Sequence, residues 1–169
     1  NKAWDPANEM CIAFKGHYGP VDLVAVDSSK GKMISGTWDS ALRDWDTDRG
    51  VCVQTSTRHA YEVTALAVNS ADEVISGSGD GTVKVWNTDR RMCVQTIQAH
   101  SDWVAALAVN SRDRVLSGSY GSRIKMWDIG SCRPRQYLKG HTSRVFAVAV
   151  NSKDQVISGS EDGTITVWE

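Results

Sequence analysis

Five tryptophans, Trp4, Trp45, Trp86, Trp127 and Trp168, stand 41 residues apart. The chain's four histidines keep the same beat: His17, His59, His100 and His141 follow at intervals of 42, 41 and 41. A period of that length, sustained along the whole sequence, means one supersecondary unit stacked on copies of itself. The stretch "VISGSGDGTVKVW" (74–86) recurs as "MISGTWDSALRDW", "VLSGSYGSRIKMW" and "VISGSEDGTITVW". An apolar stretch precedes each: "VDLVAVDSS", "VTALAVNSA", "VAALAVNSR" or "VFAVAVNSK". The first unit is the irregular one. There "SSKGK" adds a residue between two strands, and the segment before His17 is one residue shorter.

Each unit holds four strand-like segments separated by turn residues, and none carries a sustained helical period. In "VTALAV", Val63, Ala65 and Ala67 are expected on one face, with Leu66 and Val68 on the other. A strand apolar on both faces must be covered on both. Small sheets of this kind bury themselves by stacking on their siblings, and a radial stack is a propeller. The expected fold is all-β: a β-propeller of four-stranded antiparallel blades, four blades per chain. The "GSGDG" of residues 77–81 superficially resembles a phosphate-cradling loop. Such a loop needs a helix after its glycines. Here Gly81 is followed by "TVKVW", which alternates with period two, so Asp80-Gly81 is predicted to be a hairpin turn.

Composition narrows the partners. The net charge is -1 and both signs are interspersed, so no field draws the chain to nucleic acid or an acidic membrane. The longest apolar runs, such as "VFAVAV" (145–150), are strand-sized and too short to span a bilayer. The N-terminus lacks the features of a signal peptide and an initiator Met, which suggests a chain cut from something longer or processed. The four cysteines show no Cys-x-x-Cys spacing, which argues against a metal site. They read as free thiols in a reducing, cytoplasmic compartment. Cys11, Cys52 and Cys93 share the repeat and are expected to be small buried side chains on the outermost strand; Cys132 is off register and expected to be exposed.

The units resemble WD repeats. "GH" stands at 16–17 and 140–141, "WD" at 4–5, 45–46 and 127–128, with Ser-Gly strands and Asp-Gly turns between. The resemblance covers essentially the whole chain. It implies a hydrogen-bonded chain within each blade, running through the His, a second-strand Ser or Thr, the turn Asp and the Trp. Carried over, the first unit supplies His17, Ser35 or Thr37, Asp39 and Trp45. The second supplies His59, Ser76 or Ser78, Asp80 and Trp86. The fourth supplies His141, Ser158 or Ser160, Asp162 and Trp168. In the third, His100, Ser117 or Ser119 and Trp127 match, but Gly121 stands where Asp belongs. That blade is expected to be looser, or its His to bond water. A Ser, a His and an Asp also invite a hydrolytic reading. An enzyme needs one such site, whereas this set recurs with the blade, so the network reads as structural. No catalytic residue, cofactor or metal ligand is expected.

Members of the resembled family mostly bind other proteins on a rim around the central channel. The positions that vary between units and cluster on that top face are Trp38, Gly79, Tyr120 and Glu161 before the turn. Pro20 and Asp22, Glu62 and Thr64, Trp103 and Ala105, and Arg144 and Phe146 flank the start of the first strand. The residues expected to bind a protein or peptide are Asp22, Trp38, Glu62, Trp103, Tyr120, Arg144, Phe146 and Glu161. Aromatic side chains beside an Arg are the types enriched at binding hot spots. The expected function is a non-enzymatic interaction scaffold. The alternatives are a small-molecule or hydrolytic site in the central channel, or a structural fragment of a longer propeller.

The units divide the chain into a closing strand (1–14) and blades at 15–55, 56–97, 98–138 and 139–169, the last lacking its outer strand. The segment "MCIAF" (10–14) is a fourth strand without a blade, so the two ends are complementary. Repeats of this kind usually close with seven or eight blades, and the small Ala and Gly near the centre suit narrow wedges. A homodimer forming an eight-bladed ring by strand exchange is therefore expected, with a four-bladed monomer or a piece of a longer propeller as alternatives. Asp44 fills a slot held by Val85, Met126 and Val167 in the other units, which suggests that the first blade meets a subunit boundary there.

Overall fold

The computed structural model describes residues 2–5, 10–27, 31–56 and 59–169, with the backbone alone at 2–5, 10–12 and 27. The side chains of Trp4 and Cys11, and residues 28–30 of the "SSKGK" insertion, lie outside the described set. Among the described residues seventeen strands follow one another: β1 (Lys2–Asp5), β2 (Met10–Ala13), β3 (Val21–Asp27), β4 (Lys32–Thr37), β5 (Leu42–Asp46), β6 (Val51–Ser56), β7 (Val63–Val68), β8 (Val74–Ser78), β9 (Thr82–Asn87), β10 (Met92–Gln98), β11 (Val104–Val109), β12 (Arg114–Ser119), β13 (Ile124–Asp128), β14 (Pro134–Leu138), β15 (Val145–Val150), β16 (Val156–Ser160) and β17 (Ile165–Trp168). A single 3-10 turn, Ile129–Ser131, is the one helical element among the described residues. No helix among them is long and apolar enough to cross a membrane.

All pairings are antiparallel. Three sheets have four strands in sequence order, β3 to β6, β7 to β10 and β11 to β14; a fourth has three, β15 to β17, and β1 pairs with β2. Sheets follow one another through their first strands, with β3 against β7, β7 against β11 and β11 against β15. First strands gathered inward and last strands splayed outward make the meandering blades of a β-propeller.

The sheets stack through apolar side chains alternating across each blade. Ile75, Val83, Val85, Ile97 and Ala99 of the second blade pack on Val104, Val115 and Trp127 of the third. Leu116, Ile124, Met126 and Leu138 of the third blade pack on Val145 and Val156 of the fourth. Between the first and second blades, Ile34 and Leu42 meet Val63, Val74 and Trp86. Phe14 covers Trp45 edge-on at a centroid distance of 5.6 Å, in the place Ile97 takes on Trp127.

Three sequence readings need correction. Val63 does not share the face of Ala67; it joins Leu66 and Val68 against the first blade. The cause is a β-bulge between Val63 and Ala65, which inserts one residue and breaks the alternation. Asp44 is buried between the first and second blades, where Thr88 and Arg91 line the same gap, so its slot is no subunit boundary. Cys52 is exposed and Cys93 half-buried, because the outermost strand has solvent along its free edge.

Candidate functional site

Two sets of residues recur on every blade, one inside the sheets and one at their rim. The inner set begins with the tryptophan that ends each third strand. Burial removes its indole N–H from water, so it needs an acceptor. Trp45, Trp86, Trp127 and Trp168 donate to Ser35, Ser76, Ser117 and Ser158 at 2.7, 2.8, 2.8 and 2.9 Å. Each serine then meets the Nε2 of His17, His59, His100 or His141 at 2.6, 2.7, 2.8 and 2.7 Å. With the Ser oxygen accepting from Trp, its O–H points to Nε2, which leaves Nδ1–H to donate. It does so to Asp39, Asp80 and Asp162 at 3.2, 3.1 and 3.0 Å.

Turn backbone fixes each carboxylate. Asp80 accepts from the N–H of Ala60 (2.9 Å) and of Thr82 (2.8 Å), and from the Thr82 hydroxyl (2.6 Å). Asp162 accepts likewise from Thr142 N–H (2.9 Å), Thr164 N–H (3.0 Å) and the Thr164 hydroxyl (2.6 Å). Burial pushes the Asp80 carboxyl up, but the bonds from Thr82 and Ala60 outweigh it and hold it down to about 2. The bonds from Thr164 and Thr142 keep Asp162 well below the usual carboxylate range. Burial lowers His59, an effect that Asp80 partly offsets.

The first blade solves the same problem with different residues. Ala41 stands where Thr82 does, and the Thr37 hydroxyl bonds Asp39 instead. Arg43 folds onto the site, donating to Asp39 at 2.8 Å and contacting His17. Sequence reading missed Arg43; its signal was a cation in the slot of Lys84 and Lys125. The third blade keeps Trp127, Ser117 and His100 in place without a carboxylate. Burial, then the nearby Lys125, lowers His100 to about 4.

The rim set is aimed by a bulge. In every blade the first strand skips one residue in its pairing with the second: Asp22, Thr64, Ala105 and Phe146 are the extra residues. A bulged residue points out of the ladder, so the fold presents one variable side chain per blade to the same end. Asp22, Trp38, Glu62, Thr64, Trp103, Ala105, Tyr120 and Phe146 line one concavity of about 450 Å³. Trp103 stacks on Tyr120 at 5.5 Å, and Phe146 meets Tyr120 edge-on at 5.6 Å. Arg144 lies 5.0 Å over the Tyr120 ring and 3.8 Å from Glu161, beside the concavity rather than in it. Trp38, 65 % exposed, stands apart from the aromatic stack. Gly79 makes room for Trp103: a Cβ there would lie 3.1 Å from the indole. Thr64 is held through its hydroxyl to the Val104 carbonyl of the next blade, a tie that the sequence did not reveal.

No group of three or more His, Cys, Asp or Glu among the described residues is placed to hold a metal ion. The family model described as "WD domain, G-beta repeat" matches residues 50–87, 91–128 and 132–169. Each match runs from the last strand of one blade through the third strand of the next, so repeat and blade are out of phase by one strand. The chain is similar to the computationally designed Ika4 protein, at a TM-score of 0.83 and 33% identity, over 92% of this chain and 94% of that one. It is 34% identical over 64 residues to an uncharacterized WD repeat-containing protein of Schizosaccharomyces pombe, covering 35% of this chain and 17% of the relative. It is 33% identical over 60 residues to F-box/WD repeat-containing protein 10 of Mus musculus, covering 36% of this chain and 6% of the relative. The matched stretches thus span less than a fifth of those curated relatives.

Proposed function

This chain belongs to the WD-repeat family, and from that premise we propose that it is a non-enzymatic scaffold that holds a protein or peptide on its bulge-bearing rim. The observation that supports this reading is the convergence of Asp22, Trp38, Glu62, Trp103, Tyr120 and Phe146 on one concavity. Its lining combines four aromatic side chains with Asp22 and Glu62, and Arg144 stands beside it. That combination suits a segment that buries an apolar side chain and pairs charge at its flanks. Selection from a displayed peptide library tests it. Trp103→Ala or Tyr120→Ala is expected to weaken the selected peptides by at least about tenfold, some 1.4 kcal/mol. Peptides that bind both variants and the parent alike overturn the rim assignment. Hydrolytic turnover that is lost in Ser76→Ala would favour the channel-enzyme alternative instead.

The second partner is a second copy of the chain. Val24 and Val26 of the first blade are exposed, yet they fill the slots that Leu66 and Val68 fill between blades. Ile165 and Val167 of the last blade are 79% and 55% exposed, in the slots of the buried Val83 and Val85. The two end faces match as successive blades do, and a head-to-tail pair closes an eight-bladed ring with both covered. In that ring β2 leaves β1 and completes the three-stranded sheet of the partner. The free thiols of Cys52, Cys93 and Cys132 support a reducing, cytoplasmic setting.

A further inference from the structure

The third blade carries the frame of the polar network without its carboxylate. His100 Nε2 meets Ser117 at 2.8 Å, and Gly121 N–H donates to Ser119 at 3.1 Å, as Asp80 N–H does to Ser78 at 3.2 Å. The turn closes alike, with Ser122 N–H on the Ser119 carbonyl at 3.2 Å and Gly81 N–H on that of Ser78 at 3.1 Å. What differs is chemistry: Gly121 replaces the Asp, and Arg123 stands in the slot of Thr82 and Thr164. A cavity of about 230 Å³ results, lined by His100, Ser101, Ser119, Gly121, Arg123 and Lys125.

We propose that this cavity is a carboxylate site, in which an external carboxylate group takes the position that Asp39, Asp80 and Asp162 hold in the other blades. Three blades of the same molecule show that a carboxylate fits there and what receives it. His Nδ1–H is one donor. The N–H of the residue after the His is another, as Ala60 and Thr142 are at 2.9 Å. The N–H two residues past the Asp is the third, as Thr82 is at 2.8 Å. In the third blade these donors are His100 and the N–H groups of Ser101 and Arg123.

Charge agrees with geometry. Among the described residues no carboxylate lies within ion-pair distance of Arg123 or Lys125. Lys125 Nζ donates to the Ala99 carbonyl at 2.5 Å and sits 5.5 Å from the Trp127 and Tyr137 rings. Burial first, and then Arg123, lowers the Lys125 ammonium, as expected of cations held together without a counter-ion. Asp102 is the acid at the rim, and its Oδ1 accepts from Trp103 N–H at 2.8 Å. Two cations against one rim carboxylate leave the site positive and receptive to a single negative charge.

The restoring substitution supplies the control. A Cβ on Gly121 would lie 3.7 Å from Asp102 Cβ and Ser119 Oγ, an ordinary contact, so Gly121→Asp fits. Thermal unfolding is measured with sodium acetate against sodium chloride at equal ionic strength, and with N-acetyl-aspartate amide as a side-chain mimic. The parent melting temperature is expected to rise saturably with acetate, the mimic or both. Which of them acts separates a free small acid from a partner's side chain. Gly121→Asp is expected to abolish the response, and Arg123→Gln to weaken the apparent affinity by at least about tenfold. A 15N-histidine spectrum is expected to show the His100 Nδ1 resonance move, in the parent only, with whichever carboxylate raises the melting temperature. No response to either carboxylate, an equal response in Gly121→Asp, or a larger response to phosphate than to acetate overturns the assignment.

Discussion

The serine at the centre of each blade does two jobs at one atom. Ser76 Oγ accepts from Trp86 and donates to His59, so one hydroxyl satisfies two buried groups. Ser76→Ala removes both bonds where Ser76 is fully buried, and is expected to cost about 2–4 kcal/mol in urea unfolding. If the serine were a nucleophile rather than a link, its loss would cost far less stability. The network also sets a pH profile. His59 and His100 are lowered in the folded state, so the unfolded chain binds more protons below 6.5. Stability is therefore fully present above pH 6.5 and falls as the pH drops toward 4. Asp80 is depressed from 3.8 to about 2, so its contribution is present above pH 4 and is lost as the pH falls through 2. Urea midpoints measured across that range are expected to fall in two stages, the upper one shallower in His100→Gln. A midpoint that does not change between pH 7 and 4 contradicts the neutral, buried histidines.

The turn before each third strand puts one residue at left-handed φ: Gly81 and Gly163 do so without a Cβ penalty, whereas Ser40 and Ser122 bear it. Gly81 has φ of +77°, and a Cβ there would run into the His100 carbonyl at the start of the next blade. That single glycine serves its own turn and the docking of its neighbour, since Ala99 and His100 N–H both donate to its carbonyl. Gly81→Ala is expected to lower stability by about 2–3 kcal/mol. Gly163 has φ of +82° in the equivalent turn with nothing within 4 Å, so Gly163→Ala isolates the backbone penalty at about 1 kcal/mol. Equal losses at the two sites, measured by denaturant midpoint, mean that blade docking does not depend on this close approach. At the opposite end, Ser70 and Ser111 N–H groups donate to Asp113 and Asp154 of the next blade at 2.9 and 3.0 Å. Such ties, described at the second-to-third and third-to-fourth junctions, add directional bonds to the apolar packing between blades.

Across the whole molecule the open question of energy lies at the two ends of the stack. Val24 and Val26 at one end, and Ile165 and Val167 at the other, expose faces that elsewhere make the core. Light scattering at micromolar concentration is expected to give twice the chain mass, and the double variant Ile165→Lys, Val167→Lys to give one chain mass with a lower melting temperature. A parent mass of one chain at that concentration sinks the paired ring. The staggered repeat matters at this scale too: the last strand of one blade and the first three of the next form one sequence unit, so a unit cannot fold without engaging its neighbour.

The 41-residue beat of Trp and His, with period-two strands between them, determined the architecture by itself. A sheet apolar on both faces has few ways to bury itself, and repetition selects one. The partners within each blade were implied by the WD-repeat resemblance, which left Ser76 or Ser78 open; the structure decides between them, since the buried Trp86 N–H donates to Ser76. What alternation could not show is where it breaks. The bulges at Asp22, Thr64, Ala105 and Phe146 add a residue without a signature in composition, and they decide which side chains reach the rim. Nor could sequence alone show Asp44 enclosed between blades, Arg43 turned back onto Asp39, or Gly121 opening a cavity beside Arg123 and Lys125. Each depends on side chains from separate strands meeting at a point, and only the packed stack brings them there.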